Sequence, residues 1–268
     1  MPAEAAGGIV AGWGAESGAG AARAGRARTA LLPRGFFGGG SVKVAPALLG
    51  CVIEHETSDG IVAAMITEVE AYTGAADPAS HAYRGQTART AVMFGPPGHA
   101  YVYFTYGMHF CVNLVCLPEG TASAVLLRAA AITEGAALAR RRRLARRGAA
   151  LPSRGEDSSV GRDGAGGPDG SVGRGRRAIP DRDLARGPAL LCQALGIDRE
   201  LNGADVCDPR SPLRVRAAAG PPGRIRTGPR VGVSTAAEVP WRFWIDGDPT
   251  VSAYRASAPR RAKRSARP

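Results

Sequence analysis

The sequence predicts a mixed α/β fold of the α+β type, in which strands joined by hairpins are accompanied by a few helices. Residues 51–56 and 61–72 read as two strands separated by a tight turn. Residues 101–115 contain two further strand patterns with a turn between them. Residues 189–195 have the pattern of a short helix, with a proline before it and a glycine after it. These segments predict a sheet built from hairpins.

The composition points to an anionic partner. The 268 residues carry 35 Lys and Arg against 23 Asp and Glu, which gives a formal net charge of +12 and a pI of about 10.3. The excess is nearly all arginine, because Lys43 and Lys263 are the only lysines. A charge of this sign favours nucleic acid as the partner, ahead of an acidic membrane surface. A chain of this length can form one large domain or two small ones.

The five cysteines show no CxxC pair and no zinc-ligand spacing. We expect reduced, mostly buried thiols in a cytoplasmic protein. No stretch approaches the roughly 20 apolar residues of a membrane span, and the first residues lack the pattern of a secretory leader. Neither membrane insertion nor secretion is expected.

Three segments lack hydrophobic patterning and bound the predicted domain. Residues 1–29 form a basic arm rich in Ala and Gly, residues 148–178 form a Gly- and Arg-rich insertion, and residues 257–268 form a basic tail. We expect all three to be disordered. The domain would then occupy residues 30–256 and contain the insertion.

Residues 66–74 are where we place the chemistry. The stretch reads as the end of a strand, and successive side chains on a strand point to opposite faces. One face then carries Ile66, Glu68, Glu70 and Tyr72, and the other carries Thr67, Val69 and Ala71. Two carboxylates and an aromatic ring would lie side by side where the strand leaves the sheet. A solvated edge strand has the same pattern, so the neighbouring sequence has to decide.

Residues 73–100 hold many turn formers and few apolar runs, which predicts a long ordered loop. Loops of this length in compact domains are usually functional. His81 lies in this loop, where a histidine is more often a structural hydrogen-bonding group than a site residue.

Residues 101–115 predict a hairpin with an aromatic tip. Tyr101, Tyr103 and Thr105 share one face, and Tyr106 falls at the turn. An exposed aromatic tip in a basic protein suggests a wedge between stacked bases. The alternative is a tyrosine folded back on its own hairpin.

Shorter patterns predict the remaining elements. Residues 123–128 read as a strand that ends on Arg128, where a charge is usually just a solvated terminus. Residues 134–147 predict a helix with a basic surface. Two late strands, at residues 230–233 and 242–245, are expected to close the sheet.

These segments contain several aromatic side chains, an amide, a carboxylate and a guanidinium. Such a set of groups suits the binding of a flat heterocycle. Rings stack on the faces of such a ligand, and an amide or imidazole reaches its polar edge. The residues are Glu70, Tyr72, His81, Tyr103, Asn113 and Arg128. A base inside a duplex cannot reach such a pocket, so an enzyme acting on it must extrude the nucleotide and fill the gap.

Glu70 then has a natural task in breaking an N-glycosidic bond. The reaction passes through an oxocarbenium-like sugar, and an ionised carboxylate can stabilise that charge and deprotonate an attacking water. Arg128 could hold the water and keep the carboxylate charged. An amine nucleophile is the alternative, but neither lysine lies near the motif and the amine of Pro2 is the remaining candidate. We therefore expect a water nucleophile and an intact abasic site.

These motifs together resemble those of the alkyladenine DNA glycosylase family, also called 3-methyladenine or N-methylpurine DNA glycosylases. The resemblance includes residues 68–72 with His81, residues 101–113, and residues 126–128, followed by the late segments. It covers about residue 30 to residue 256, and it is specific because several uncommon motifs recur in one order. The insertion and both tails fall outside it.

The resemblance implies a single compact α/β (α+β) domain with a central antiparallel β-sheet and a protruding β-hairpin, surrounded by helices. The implied activity is that of a DNA-3-methyladenine glycosylase, a hydrolase that flips alkylated or deaminated purines out of duplex DNA without a cofactor or a metal. We expect a monomer whose partner is double-stranded DNA containing damaged purines, with no membrane partner. Its location would be cytoplasmic and nucleoid-associated, in keeping with a composition of the bacterial type.

Carried over by position, the resemblance gives the site residues their roles. Glu70 resembles the general base, and Arg128 resembles the residue that helps to hold the water. The implied walls of the base pocket are Tyr72, His81, Tyr103, Asn113 and Leu126. Asn113 resembles the residue that discourages the amino group of guanine, and Tyr106 and Met108 are implied to intercalate into the DNA. Glu68 resembles no catalytic residue of the family, so we expect it to be structural and dispensable for the chemistry.

Two other functions fit parts of the sequence. Glu68, Glu70 and Asp77 could ligate magnesium in a metal-dependent nuclease. A non-catalytic module could bind lesions with Tyr106 alone. One departure from the family pattern is Gly85, at a position where relatives can have a cation, and it concerns the backbone contacts of that loop rather than the reaction.

Overall fold

In the part of the chain that the structure describes, the fold is an antiparallel sheet that carries three α-helices. The computed structural model describes residues 28–105, 107–149 and 178–256. The strands in these residues are β1 (Val52–Thr57), β2 (Gly60–Tyr72), β3 (Ala100–Thr105), β4 (His109–Val115), β5 (Ala124–Glu134), β6 (Leu213–Arg216), β7 (Ile225–Gly228) and β8 (Arg242–Ile245). The helices are α1 (Ser41–Leu48), α2 (Ala136–Ala149) and α3 (Pro188–Leu195).

The strand order is β3-β4-β5-β2-β1-β6, with β8 pairing to β2 and β7 pairing to β8. Each of these pairings is antiparallel. Helix α1 packs on β2, and α3 packs on β4 and β5. The predicted α+β class and the central antiparallel sheet are therefore confirmed.

The predicted hairpins and the late helix are present. β1 pairs with β2 across a tight turn that ends at Gly60, and β3 pairs with β4. Helix α3 ends at Gly196, whose φ of +74° lets its N–H reach the carbonyl oxygens of Cys192 and Gln193. One hydrophobic cluster joins these elements, and its fully buried members include Leu48, Ile53, Leu127, Leu191 and Leu195.

The alternation predicted for the end of β2 is wrong at Ile66. This side chain is fully buried in the hydrophobic core together with Val69 and Ala71, and does not share the face of Glu68. The cause is an extra residue, Thr67, which has no partner on β5. A one-residue bulge reverses the alternation on either side of it.

A second bulge, in β5, compensates the first. Glu68 is opposite Ala129 and Val69 is opposite Leu127, so Arg128 is the extra residue on this strand. The two strands stay paired beyond both bulges, and the side chains of Glu68 and Arg128 come into contact.

Strand β5 runs farther than predicted. The expected strand ended on Arg128 at a solvated terminus, but β5 continues to Glu134 and Arg128 is only 6 % exposed. The helix predicted at residues 134–147 accordingly begins later, at Ala136. Buried carboxylates neutralise the charge of Arg128 inside the fold, so its position does not require solvent.

Only one of the two predicted late strands is a strand. Residues 242–245 form β8, whereas residues 230–233 have no regular structure. The backbone N–H of Val231 donates to a side chain of β2 instead of to a neighbouring strand. β6 and β7, which have four residues each, were not predicted.

Some expectations concern residues outside the described part of the chain. They include nearly all of the arm at residues 1–29 and of the insertion at residues 148–178, the whole tail at residues 257–268, and Tyr106 at the hairpin turn. Within the described ranges, no helix combines the length and the apolar content needed to cross a membrane.

A methyl group added at Gly74, which follows β2, would clash with the backbone and is expected to destabilise the fold. Its φ is +67°, and a Cβ at this position would lie 2.1 Å from the carbonyl oxygen of Ala122. Gly74→Ala is expected to lower the free energy of unfolding by more than the roughly 1–2 kcal/mol of a left-handed alanine alone. Gly85→Ala is the matched control, because φ there is +91° and no atom lies within 4 Å of the Cβ position. Urea unfolding measures both variants, and an equal loss in the two would contradict the clash.

Candidate active site

One cavity brings the predicted site together. It has a volume of about 670 Å³ and lies between the end of β2, the β3–β4 hairpin and the segment after Arg230. All seven residues predicted for catalysis or base binding line it, namely Glu70, Tyr72, His81, Tyr103, Asn113, Leu126 and Arg128. Met108 is not in its lining and is 66 % exposed on the hairpin. Tyr106 lies outside the described residues.

Glu70 is fully buried, and three donors converge on its carboxylate. Its Oε2 accepts a hydrogen bond of 2.8 Å from the Tyr72 hydroxyl, and its Oε1 accepts one of 2.7 Å from the backbone N–H of Val231. Nη1 of Arg128 lies 3.2 Å from the same Oε1. A carboxylate has enough lone pairs to accept from all of these groups at once.

Arg128 lies between two carboxylates. Its Nε donates to Oε1 of Glu68 at 2.7 Å, and its Nη1 contacts Glu70. Burial disfavours the charged guanidinium, but the charges of Glu70 and Glu68 outweigh burial and raise the pKa of Arg128 above its ordinary value. Arg128 therefore stays a cation beside the carboxylate of Glu70.

Aromatic rings form one wall of the cavity. Tyr101 and Tyr103 stack with 5.5 Å between their ring centroids, and His81 meets Tyr103 edge-on at 4.6 Å. Packing of His81 against these rings, followed by the nearby charge of Arg89, lowers the pKa of His81 and favours a neutral imidazole. The amide nitrogen of Asn113 donates to the carbonyl oxygen of Tyr101 at 3.3 Å, which fixes the direction of the amide. His81 is thus a wall residue at the cavity and not an isolated loop histidine.

A buried ion pair holds the backbone that covers Glu70. Arg230 donates to Asp77 through both terminal guanidinium nitrogens, Nη1 and Nη2, at 2.5 and 3.0 Å, and both side chains are fully buried. The guanidinium also lies 4.7 Å from the ring centroid of Tyr72. Because Val231 follows Arg230 directly, this clamp aims the N–H of Val231 at Glu70.

Burial, together with the charge and the hydrogen bond of Glu70, raises the pKa of Tyr72 well above its ordinary value. The hydroxyl of Tyr72 therefore stays protonated and remains a donor to Glu70. Tyr72, at the cavity wall, is therefore hydrogen-bonded directly to the carboxylate of Glu70.

Sequence reasoning missed four contributors to the site: Val231, Arg230, Arg242 and Ser252. Two buried carboxylates on one strand require cationic partners, and an arginine opens each of the two late segments that were predicted as strands. That signal could have indicated Arg230 and Arg242. Nothing in the sequence indicates Val231, which contributes only its backbone.

The three carboxylates considered for magnesium binding are engaged by arginines. Glu68 contacts Arg128 and Arg242, and Asp77 contacts Arg230. In the part of the chain that the structure describes, no group of three or more His, Cys, Asp or Glu side chains could hold a metal ion. The arrangement pairs each of these carboxylates with a cation of the protein itself.

Acidification is expected to destabilise the fold through Glu68 and Glu54, which are buried and paired with two and three arginines, respectively. Burial acts to raise their pKa values, but the arginines outweigh burial, so both pKa values lie below the ordinary 4.5. The unfolded chain then takes up protons at higher pH than the folded chain. The stabilisation is complete above about pH 4.5 and is lost as the pH falls through the folded-state pKa. Denaturant unfolding across this range measures the loss, and a free energy of unfolding that does not fall would contradict it.

A buried carboxylate and a guanidinium in a cavity walled by stacked rings suit an enzyme that acts on a flat heterocycle. The comparisons with known proteins define that enzyme further. The family model described as "Methylpurine-DNA glycosylase" matches residues 35–249. The chain belongs to this family, as the sequence motifs indicated, and it is a DNA glycosylase.

Three bacterial relatives show how much of the chain is shared. A protein of Streptomyces avermitilis is 52 % identical over 235 residues, which are 87 % of this chain and 95 % of that protein. A protein of Leifsonia xyli subsp. xyli is 49 % identical over 226 residues, 83 % of this chain and 92 % of its own length. A protein of Mycobacterium tuberculosis is 46 % identical over 222 residues, 81 % of this chain and 91 % of its own length. Each of them carries the name "Putative 3-methyladenine DNA glycosylase".

Proposed function

We propose that this DNA glycosylase flips alkylated or deaminated purines, such as 3-methyladenine, out of duplex DNA and hydrolyses their N-glycosidic bond with an activated water. The product is a free base and an intact abasic site. The observation that carries the proposal is the carboxylate of Glu70, fully buried at an aromatic cavity and 3.2 Å from the guanidinium of Arg128. The names of the relatives support 3-methyladenine as one substrate.

In this mechanism Glu70 is the general base and Arg128 orients the water. The water oxygen forms a bond to the sugar carbon while one of its protons passes to Glu70. The bond between the sugar and the base breaks, and its electron pair leaves with the base. A purine that carries a positive charge from alkylation takes up that pair and departs neutral, whereas a neutral deaminated purine departs as an anion and takes up a proton from the solvent. The charge of Glu70 also stabilises the oxocarbenium-like sugar in the transition state.

The cavity walls suit the extruded purine. The rings of Tyr72, His81 and Tyr103 offer surfaces that contact a flat base, and Leu126 adds an apolar contact. Asn113 is held by its bond to Tyr101, so a purine that carries an extra amino group would meet a side chain that cannot turn away. This gives a basis for discrimination against undamaged guanine.

The β3–β4 hairpin supports the proposed opening of the duplex. Met108 and Phe104 are 66 % and 45 % exposed on it, and Tyr106 occupies the turn in sequence. Apolar side chains that enter the gap left by a flipped nucleotide offset an unstacking cost of a few kcal/mol. We assign intercalation to Tyr106 and Met108, with the net charge of +12 contributing phosphate attraction.

The proposed working unit is a monomer with double-stranded DNA as its partner. Residues 30–256 would form the glycosylase domain, with residues 1–29, 148–178 and 257–268 as appended basic or Gly- and Arg-rich segments. Action in the cytoplasm at the nucleoid follows from the substrate.

Base release from defined duplexes tests the proposal. Duplexes that contain 3-methyladenine, 7-methylguanine, hypoxanthine or ethenoadenine are incubated with the protein in the presence and absence of EDTA, and free bases are separated by chromatography. We expect release of a free purine in excess EDTA and strand cleavage only after alkali or heat. Immediate cleavage that EDTA suppresses would overturn the proposal in favour of a nuclease. Duplex binding without base release would instead identify a lesion-binding module.

A further inference from the structure

We infer that Glu68 is a positioning residue for catalysis, which, with Ser252 and Arg242, anchors Arg128 so that its Nη1 faces Glu70. The inference rests on the proposed function, because it names a residue that acts on the same reaction through Arg128. It reverses the expectation from the sequence that Glu68 is dispensable for the chemistry.

The first support is the geometry around Glu68. Its Oε1 accepts from Nε of Arg128 at 2.7 Å, from Nε of Arg242 at 2.7 Å and from the hydroxyl of Ser252 at 2.9 Å. Its Oε2 accepts from the backbone N–H of Ser252 at 2.7 Å. Four donors thus hold one fully buried carboxylate in a single orientation.

The second support is that the other end of Arg128 reaches the catalytic carboxylate. The Nε is fixed by Glu68, Nη2 lies 3.3 Å from the hydroxyl of Ser252, and Nη1 lies 3.2 Å from Oε1 of Glu70. Because a guanidinium is planar, holding two of its nitrogens also fixes the direction of the third. The contact with Glu68 is the shortest of the three, so Glu68 is the tightest anchor of Arg128 and Ser252 holds a second nitrogen.

The third support is the balance of charge. Glu68 and Glu70 face Arg128 and Arg242 in a buried cluster, which gives two negative and two positive groups. Arg242 is itself held by the carbonyl oxygen of Ser252 at 2.8 Å and by the ring of Trp244, whose centroid lies 4.7 Å away. Without the charge of Glu68, Glu70 would be the single anion facing two buried cations, and Arg128 would be drawn onto it instead of towards a water.

The paired bulges explain why Glu68 is in place to do this. Thr67 on β2 and Arg128 on β5 are the extra residues of their strands, and the side chains of Glu68 and Arg128 meet between them. In a regular ladder, Glu68 would sit in step with Ile66, on the face that the core occupies. The bulges in both strands therefore bring Glu68 into contact with Arg128.

Glu68→Gln is the direct test. All four partners of Glu68 are donors, so the amide nitrogen of glutamine would face another donor and Arg128 would lose its fixed orientation. We expect the single-turnover rate of base release to fall roughly 10- to 100-fold, as for a displacement of about an ångström in a catalytic group. The affinity for an uncleavable lesion duplex should stay within about twofold, because no DNA contact is removed.

Glu54→Gln is the matched control. Glu54 is also buried, and its carboxylate binds Nε of Arg214 at 2.8 Å and Nε of Arg216 at 2.9 Å, but it does not line the cavity. Both variants should lower the melting temperature, since each loses one buried charge. Only Glu68→Gln should also slow base release when both are assayed well below their melting temperatures. Equal rates in the two variants would overturn the inference and leave Glu68 a structural residue.

Ser252→Ala keeps the test decisive if Glu68→Gln does not fold. It removes the hydroxyl that bridges Arg128 and Glu68 but retains the backbone N–H bond to Glu68. We expect a loss of about 3- to 10-fold in the single-turnover rate, with little change in melting temperature. An unchanged rate would overturn the inference. If the wild-type protein releases no base at all, it is the proposed function that fails, so the two failures are distinguishable.

Discussion

Replacing Glu70 by Gln is expected to slow base release by roughly 10²- to 10⁴-fold, the range over which a positioned general base acts. Glutamine has nearly the same shape and can still accept a hydrogen bond from Tyr72 or from the N–H of Val231. It cannot take a proton from water, and it offers no negative charge to the developing oxocarbenium ion. The loss should therefore appear in the rate at saturating enzyme, with chromatographic detection of the free purine.

Two further measurements separate catalysis from binding and folding. The affinity of Glu70→Gln for lesion duplex, followed by fluorescence anisotropy, should remain close to the wild-type value because the cavity walls are intact. Glu119→Gln is the control, since Glu119 is exposed and lies outside the cavity lining. Unchanged affinity together with an unchanged rate in Glu70→Gln would refute the proposed mechanism and favour a non-catalytic lesion-binding role.

Asp77→Asn should cause the largest loss of stability among single substitutions at the site. Asp77 and Arg230 form a fully buried bidentate pair, and removing one charge strands the other in the interior. Breaking a buried pair in this way costs about 3–5 kcal/mol in the free energy of unfolding. Arg230 also holds the segment that aims the N–H of Val231 at Glu70, so base release should slow even where the variant remains folded.

Asp208→Asn provides the comparison for this second prediction. Asp208 pairs with Arg210 on the surface, where the arginine side chain is 88 % exposed. Solvent screens that pair, and the melting temperature should hardly change. Calorimetry of the two variants side by side measures the difference. Similar melting temperatures for both would show that the buried clamp does not stabilise the fold.

The sequence was sufficient to predict the parts of the fold that depend on local patterns. Hairpins follow from turn residues between alternating strands, and helix α3 follows from Pro188 and Gly196 at its ends. The sequence motifs also identified seven of the residues that line the cavity, because those residues belong to segments with unusual polar and aromatic content.

The remaining features depend on contacts between distant parts of the chain. Ile66 was placed on the wrong face because a bulge is a property of two paired strands, and one strand does not reveal it. Arg128 was expected at a solvated strand end because its partners Glu68 and Glu70 lie about 60 residues earlier in the chain. Residues 230–233 were taken for a strand because their apolar character was assigned to a sheet rather than to a backbone segment held by Arg230.

The paired bulges of β2 and β5 also determine which kinds of genetic change the sheet tolerates. Substituting a side chain on either strand leaves the pairing intact. Ile66 before Thr67 and Val69 after it both point into the core because Thr67 is the extra residue between them. Deleting Thr67 alone would therefore move the core side chains of one half of β2 to the opposite face of the sheet. An insertion or deletion in β2 keeps the core side chains and the glutamates on their present faces only if β5 changes length to match. The two strands can therefore gain or lose residues near the site only as a pair.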